Sequence, residues 1–295
     1  QNTIAVSCDY QEMLNEGMKT AYCGVEGAFA YIAAKKMFPT SRLFPCPDFA
    51  EAYAGVEKGI YDCAVLPLEN SYAGEVGNVM DLIFSGELFI NRVIELPVRH
   101  CLIAKKGVRT QDIKKVISHP QALNQCADYI RDHGFETEGA TNTAAAAKYI
   151  LECPDPSVAA IASEDTAEIF GLAALEKGIN DADNNTTRFA AVSRVRHVPD
   201  AVKLRENENF ILVFTVQNKA GALAQTLNII GAHGYNMRSL RSHPMKGLQW
   251  NYYFYIEAEG NIDNENGRSM LRELSAICAR LKLVGTFTAE DNHDI

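Results

Sequence analysis

Residues 184–189 read Asn-Asn-Thr-Thr-Arg-Phe and lead directly into an apolar run that ends at Val192. The guanidinium of Arg188 can hold a carboxylate with two parallel N–H bonds. The hydroxyl of Thr187 can donate one hydrogen bond and accept others. Polar groups at the mouth of a buried strand suit a small anionic ligand, although a solvated turn rich in Asn and Thr would have the same composition. The rest of the chain decides between these two interpretations.

Four further junctions between a predicted strand and a predicted helix carry glycine or polar residues. Ligands of open α/β sheets bind where strands end, and helix N-termini offer unpaired N–H groups to anions. Simple helix capping by Asn70 or Ser71 would use the same residue types. No third glycine and no Gly-Lys-Ser/Thr sequence follows the first junction, which argues against Rossmann and P-loop sites. The junctions are residues 24–27 (Gly-Val-Glu-Gly), 69–74 (Glu-Asn-Ser-Tyr-Ala-Gly), 118–121 (Ser-His-Pro-Gln) and 140–143 (Ala-Thr-Asn-Thr).

Composition excludes several classes of protein. The 295 residues, 47% hydrophobic and 22% charged, are enough for two ordinary folded domains. A net charge of −9 and a pI near 5.3 argue against nucleic acid or an anionic membrane as partner. No apolar run reaches the ~20 residues of a membrane span, and no signal peptide is recognised. The eight scattered cysteines form no C-x-x-C pair, so we expect reduced thiols, a cytoplasmic location and no metal site.

The hydrophobic pattern divides the chain into two regions. Residues 19–197 alternate predicted strands and helices, whereas residues 1–18 carry no pattern and are interpreted as a linker or upstream tail. Beyond a polar, proline-marked linker at 197–208, strands are predicted at 210–217, 237–242, 250–256 and 283–287. Helices are predicted after Gly221 and over 267–282, with a tight turn at 245–247. The resulting order, βαββαβ, is the ferredoxin-like plan.

Taken together, the chain resembles a prephenate dehydratase with a C-terminal ACT domain, from Lys19 to Phe287. The sequences of residues 24–28 and 74–86 are similar to those of clostridial-type enzymes in which a chorismate mutase precedes the dehydratase. The resemblance implies an α/β fold: a two-lobed, periplasmic-binding-protein-like catalytic domain over 19–197, its second lobe at about 100–175, and a ferredoxin-like ACT domain over 208–288. It rests on seven segments in the correct order: 24–27, 69–71 with Gly74, 118–121, 142–146, 187–189, 221–223 and 241–244.

For activity, the resemblance implies decarboxylative dehydration of prephenate to phenylpyruvate, without a metal or organic cofactor. Thr187 is then the catalytic residue that polarises the departing hydroxyl, with Asn70, Ser71 or Gln125 as a relay. Arg188 and helix-terminal N–H groups at Gly27, Ser71 and Thr143 would hold the two substrate carboxylates. The complete set of expected substrate-binding residues is Gly27, Asn70, Ser71, Ser118, Gln125, Thr143, Arg188 and Phe189.

For regulation, the resemblance implies L-phenylalanine as the effector and a homodimer or homotetramer formed through ACT domains. Two departures from the family pattern stand out. Ala28 and Ala30 flank Phe29 where the family usually has a hydroxyl side chain. His243 replaces a family arginine, and a histidine is charged only below about pH 6.5. The expected effector-binding residues are Asn218, Ala220, Gly221, Ala222, Leu223, Ser242 and His243.

Two other functions are compatible with these patterns. Arogenate dehydratase performs the same elimination on a substrate with an amino acid side chain. A non-catalytic amino-acid sensor would combine a two-lobed binding module with an ACT domain. The presence of Thr187 together with Arg188 argues against the sensor.

Overall fold

The computed structural model describes residues 17–196, 208–245 and 251–288. The predicted upstream segment 1–18, the linker 197–208 and the turn 245–247 fall wholly or largely outside these residues. The described residues divide into two compact units. The first takes in the described parts of Gln1–Ala52, Val65–Glu75 and Glu95–Phe189, and the second those of Tyr53–Ala64, Val76–Ile94 and Ala190–Ile295.

Helices and strands alternate through both units, as the sequence predicts for an α/β fold. The strands are β1 (Lys19–Cys23), β2 (Arg42–Cys46), β3 (Cys63–Asn70), β4 (Gly74–Glu75), β5 (Phe89–Pro97), β6 (Cys101–Ala104), β7 (Lys115–Ser118), β8 (Glu136–Gly139), β9 (Val158–Ala162), β10 (Ala173–Lys177), β11 (Thr186–Ser193), β12 (Glu208–Thr215), β13 (Asn236–Pro244), β14 (Tyr252–Glu259) and β15 (Arg280–Thr288). The helices are α1 (Phe29–Met37), α2 (Phe49–Glu57), α3 (Gly77–Ser85), α4 (Pro120–Asn124), α5 (Ala127–His133), α6 (Thr143–Glu152), α7 (Glu164–Ile169), α8 (Ala222–Ala232) and α9 (Glu265–Ile277). None of these described helices is long and apolar enough to cross a bilayer.

The first unit contains a five-stranded sheet in the order β10-β6-β9-β7-β8. Strand β7 is parallel to β8 and β9, whereas β6 is antiparallel to β9 and β10. Every residue of β9 is buried, because side chains cover this sheet on both faces. Outside this sheet, β1 pairs in parallel with β2, and β3 turns back into β4 with Asn70 opposite Gly74.

The second unit contains the βαββαβ arrangement that the sequence predicts, with strand order β13-β14-β12-β15. Helices α8 and α9 cover a core that includes Phe210, Leu212, Phe214 and Ile256. The predicted extent of the last helix to Lys282 is wrong, because α9 ends at Ile277 and β15 begins at Arg280. Residues 280–283 pair with β12, and this ladder takes precedence over the helical spacing of the apolar residues.

Helix α3 packs with the residues of this second sheet that point away from α8 and α9. The ring of Phe84 stacks on Tyr253 with centroids 4.2 Å apart, and the Arg280 guanidinium carbon lies 4.6 Å from the Phe84 centroid. The ammonium of Lys282 donates to the carbonyl of Ile83 at 3.1 Å and to that of Gly86. These bonds satisfy carbonyls at the C-terminus of α3, where a cation is favoured. Burial lowers the pKa of Lys282.

Strand β15 also approaches β5, where Gly285 is paired with Ile90. A Cβ atom at Gly285 would lie 1.8 Å from the Ile90 carbonyl oxygen. Only glycine therefore permits this pairing without a shift of the backbone.

Candidate active site

Asn70 ends β3 and organises the turn that follows it. Its Oδ1 accepts hydrogen bonds from the backbone N–H groups of Tyr72, at 3.0 Å, and Ala73, at 2.8 Å. Both partners are obligate donors, so the atom that faces them must be the amide oxygen. The NH₂ group of Asn70 consequently points in the other direction, toward residues 185–187.

The NH₂ group of Asn70 joins this turn to the start of β11. Nδ2 donates to Asn185 Oδ1 at 2.8 Å and to Thr187 Oγ1 at 2.9 Å. These two bonds use both of its hydrogens, and the contact with the Thr186 carbonyl at 3.3 Å is a weaker third one. Thr187 therefore accepts from Asn70, and the hydroxyl hydrogen of Thr187 is left to donate elsewhere.

Ser71 fixes the same two segments together. Its N–H donates to the Thr186 carbonyl at 2.8 Å, and its hydroxyl donates to the Asn184 carbonyl at 2.9 Å while accepting from the Thr186 N–H at 2.9 Å. The prediction of a helix-terminal N–H at Ser71 is wrong, because Ser71 lies in the turn between β3 and β4. The N–H and the hydroxyl of Ser71 are both hydrogen-bonded within the protein, so Ser71 stabilises the contact between these two segments.

Asn185 is a polar residue of this cluster to which the sequence assigned no role. Asn185 is 5% exposed, and its backbone carbonyl oxygen accepts a hydrogen bond from the N–H of Val98 at 2.8 Å. Its Nδ2 is buried and has no hydrogen-bond partner among the described residues. The position in the Asn-rich stretch was the available signal, but only the fold shows that Asn185 supports Asn70.

Arg188 and Phe189 follow Thr187 on β11 with different environments. The Arg188 side chain is 22% exposed, and its Nε lies 3.9 Å from Glu95 Oε1. Phe189 is 3% exposed and belongs to the buried part of the strand. Phe189 thus anchors the strand that carries Thr187 and Arg188, and its contact with substrate stays a prediction.

The glycine loop before α1 is held closely against α7. Gly27 has φ +83°, and a Cβ atom there would lie 3.1 Å from Phe170. The Gly27 carbonyl accepts from the Thr166 hydroxyl at 2.8 Å.

Thr143 is buried in the first turn of α6, which Asn142 caps by accepting from Ala145 N–H at 2.7 Å. Thr143 thus stands at a helix N-terminus, as predicted from the sequence.

Ser118 does not reach a ligand surface in this structure. Its side chain is 0% exposed, and its hydroxyl donates to the Ile161 carbonyl on β9 at 2.6 Å. This bond joins two strands of the sheet, and a substrate contact from Ser118 stays a prediction. Proximity in sequence to a ligand-binding junction did not reveal which way the side chain points.

Gln125 follows α4 and is half-buried, and its side chain meets a histidine that the sequence did not single out. Gln125 Oε1 lies 3.0 Å from Nε2 of His100. His100 is 1% exposed, and burial lowers its pKa. Its backbone N–H donates to Asn180 Oδ1 at 2.6 Å, and Asn180 Nδ2 donates to the Val98 carbonyl at 3.1 Å. Segment 98–100 thus links Gln125 to Asn185, because Val98 also bonds to Asn185.

Comparison with known proteins places these residues in a family. A family model described as prephenate dehydratase matches residues 20–197, and one described as ACT domain matches residues 210–276. The chain belongs to the prephenate dehydratase family. The match also identifies the βαββαβ unit as an ACT domain.

Curated members of the prephenate dehydratase family align over most of the chain. A protein of Arabidopsis thaliana named arogenate dehydratase/prephenate dehydratase 2, chloroplastic, is 35% identical and covers 92% of this chain and 73% of its own length. The bifunctional chorismate mutase/prephenate dehydratase of Enterobacter agglomerans is 32% identical and covers 92% of this chain and 71% of its own length.

Solved structures share this fold over most of the chain. The prephenate dehydratase of Arthrobacter aurescens, solved in complex with L-Phe, has a TM-score of 0.82 at 28% identity and covers 92% of this chain and 90% of its own. A protein described as GqqA, a novel type of quorum quenching acylase, has a TM-score of 0.83 at 30% identity and covers 92% and 98%. The predicted fold, a periplasmic-binding-protein-like dehydratase domain followed by an ACT domain, is confirmed.

The ACT domain of this prephenate dehydratase family member separates the expected effector residues into three groups. Asn218, Ala220 and Gly221 are exposed on the loop before α8, and Gly221 has φ +80°. Ala222 is buried and Leu223 packs against the core of the domain, so a direct ligand contact from their side chains is not supported. The exposed backbone around Gly221 is what this segment offers to a ligand.

Ser242 and His243 form the third group, and they point to opposite faces of the sheet. Ser242 is paired with Phe254 on the face of α8 and α9, whereas His243 is paired with Tyr253. The His243 ring packs against Tyr253 with centroids 5.2 Å apart, and its Nε2 lies 3.5 Å from Asp81 of α3. Successive side chains of a strand alternate, so Ser242 and His243 offer different faces of the sheet, and their binding of the effector stays a prediction.

The described residues contain no group of His, Cys, Asp and Glu side chains that could hold a metal ion. The seven cysteines in the described ranges, Cys23, Cys46, Cys63, Cys101, Cys126, Cys153 and Cys278, are free thiols.

Proposed function

We propose that this protein converts prephenate to phenylpyruvate, with release of carbon dioxide and water, in phenylalanine biosynthesis. The observation that carries the proposal is the hydrogen bond from Asn70 to Thr187. It occupies a lone pair of the Thr187 hydroxyl and leaves its hydrogen to be donated. A dehydration needs such a donor, since hydroxide is a poor leaving group.

The reaction places two demands on the site. The ring carboxylate is lost as carbon dioxide, its bonding electrons enter the ring, and the C–O bond on the opposite side breaks. Thr187 donates its hydrogen bond to the departing oxygen as negative charge develops there. Asn70 supports this donation, because a hydroxyl that accepts a hydrogen bond becomes a stronger donor.

Arg188 supplies the positive charge for a substrate carboxylate. It follows Thr187 directly on β11, and successive residues of a strand point to opposite faces. The Arg188 side chain is nevertheless 22% exposed and long, and we propose that its guanidinium reaches a carboxylate of the substrate held by Thr187. Glu95 lies 3.9 Å from Nε of Arg188, so its carboxylate partly neutralises the positive charge and orients the guanidinium.

We further propose that L-phenylalanine inhibits through the ACT domain, which forms the contact of a homodimer or homotetramer in the cytoplasm. Two observations support regulation and assembly. The relative from Arthrobacter aurescens was solved with L-Phe. Strand β13 lies at the edge of the described ACT sheet and so leaves one row of backbone groups for pairing with a second copy.

Two other activities are addressed by the same assay. Arogenate is a competing substrate, because the name of the Arabidopsis thaliana relative includes both dehydratases. An acylase is less well supported, since a hydrolytic threonine needs a general base and the described partner of Thr187 Oγ1 is the Asn70 amide. The test is phenylpyruvate formation, read by its absorbance in base, with prephenate and arogenate supplied separately. No product from prephenate would contradict the proposal.

A further inference from the structure

His100 lies between two segments that the sequence predicts to bind substrate. Its ring meets Phe29, at the start of the helix after the glycine loop, edge to face with centroids 5.9 Å apart. Its Nε2 lies 3.0 Å from Oε1 of Gln125. The other ring nitrogen, Nδ1, is buried without a hydrogen-bond partner among the described residues.

These contacts select one form of the imidazole. With the proton on Nε2, the ring donates to the Gln125 oxygen and only a lone pair on Nδ1 is left unpaired. With the proton on Nδ1, or on both nitrogens, a buried N–H donor would have no acceptor, which is the costlier defect. Burial lowers the pKa of His100, in agreement with a neutral ring.

We propose that His100 is a positioning residue that holds the Gln125 amide with its NH₂ group directed to the substrate. The inference rests on the proposed dehydratase activity. Since Oε1 of Gln125 accepts from His100, the amide cannot turn over without facing one N–H donor with another. No described group forms a hydrogen bond with Nε2 of Gln125. This atom is also not one of the buried polar atoms that lack a partner, so solvent can reach it. It is therefore a donor available to a ligand.

The backbone places this pair beside the Thr187 cluster. His100 lies two residues after Val98, whose N–H donates to the Asn185 carbonyl, and Asn185 in turn accepts from Asn70. Two residues span at most about 7 Å of chain. The Asn180 side chain fixes this short segment by bonding both Val98 and His100. A series of hydrogen bonds through residues 98–100, Asn185 and Asn70 thus connects the Gln125 amide with the hydroxyl of Thr187.

The test is a double-mutant cycle in the full chain. His100→Phe keeps an aromatic ring against Phe29 and removes the N–H, and Gln125→Leu removes the amide. We expect His100→Phe to lower kcat/KM on prephenate roughly ten- to hundredfold, the cost of a misplaced group. Added to Gln125→Leu, the same change should cause little further loss, since the amide to be positioned is gone. Equal losses in both backgrounds would show a merely structural role and overturn the proposal.

Three further measurements complete the test. His100→Gln restores an N–H near the position of Nε2, and we expect it to recover most of the activity; if it is as impaired as His100→Phe, the proposal fails. His133→Phe, an exposed histidine of α5, is the matched control and should leave kcat/KM unchanged. Imidazole ¹⁵N NMR of the wild type at pH 7 should show the neutral Nε2–H tautomer of His100. This readout needs no substrate, so it separates failure of the positioning role from failure of the proposed activity.

Discussion

Nδ2 of Asn70 lies 2.9 Å from Oγ1 of Thr187, and the direction of this hydrogen bond is fixed by the backbone of the turn behind it. Because two N–H groups, from Tyr72 and Ala73, occupy Oδ1 of Asn70, its NH₂ group has to face Thr187. The geometry makes Thr187 an acceptor on one side and a donor on the other.

Removal of the Thr187 hydroxyl should abolish most of the turnover. We expect Thr187→Ala to lower kcat about 10²–10⁴-fold with little change in KM, since the donor acts as the C–O bond breaks. Thr187→Ser should retain much of the activity because it keeps the hydroxyl. Steady-state kinetics on prephenate measures both variants, and a Thr187→Ala enzyme near the wild-type rate would show that the hydroxyl is not needed.

Asn70→Asp should reverse the direction of the bond to Thr187. A carboxylate preserves an acceptor for Tyr72 and Ala73 N–H, but it can only accept from the Thr187 hydroxyl and so withdraws its hydrogen from substrate. We expect kcat to fall by about the same order as in Thr187→Ala. Combining the two substitutions should add little, and full additivity would mean that Asn70 acts independently of Thr187.

Arg188→Lys should weaken substrate binding. Lysine keeps the charge but lacks the planar pair of N–H donors, so KM for prephenate should rise clearly, by roughly tenfold. Arg109→Lys, at an exposed arginine bonded to Asp112, is the matched control and should have wild-type kinetics. An unchanged KM in Arg188→Lys would assign Arg188 to a structural role.

Gly221→Val should separate inhibition from activity. A Cβ atom at this position meets nothing within 4 Å, so the added side chain would occupy the open space before α8 that the effector is proposed to enter. We expect an active enzyme that no longer responds to phenylalanine in rate or by calorimetry. Gly234→Val is the matched control, because Gly234 has φ +79° and equally open surroundings, and it should still respond. Loss of the response in both variants would point to backbone strain, and no response in the wild type would remove the effector site.

The protonation of His100 predicts how stability depends on pH. Its folded-state pKa is lowered by burial, so His100 takes up its proton at a higher pH in the unfolded chain, at about 6.5. The stability gained from His100 is therefore present above about pH 6.5 and is lost as the pH falls through its lowered folded value. Urea unfolding should show the stability of the wild type, relative to His100→Phe, decreasing from about pH 7 to 5.

His233 provides a comparison of opposite sign for that experiment. Its pKa is raised by hydrogen bonds with Asn266 and Glu273, so its contribution is present below about pH 6.5 and is lost as the pH rises. The difference between the wild type and His233→Phe should accordingly grow as the pH falls. A pH-independent difference for His100→Phe would contradict a buried neutral ring.

The sequence predicted those features that follow from local patterns. The alternation of strands and helices and the βαββαβ order are visible in hydrophobic periodicity, whereas the meeting of Asn70 and Ser71 with Thr187 was implied by the family resemblance. The direction of a side chain is a different matter. Ser118, Phe189 and His243 belong to recognisable motifs, but each faces the interior or a neighbouring helix because of the strand face on which it falls. His100 became visible only through Gln125 and Phe29, which are distant from it in sequence.

The packing of α3 on the ACT sheet has a consequence for moving this regulatory domain into other proteins. Residues 208–288 would leave behind the ring on which Tyr253 stacks and the carbonyls that hold the Lys282 ammonium. An excised domain would then present a large apolar ring and a half-desolvated cation to water or to other chains. A transplantable version would have to carry residues 76–94 with it. The portable unit therefore consists of two segments that are separate in the gene, although the ACT domain itself is continuous.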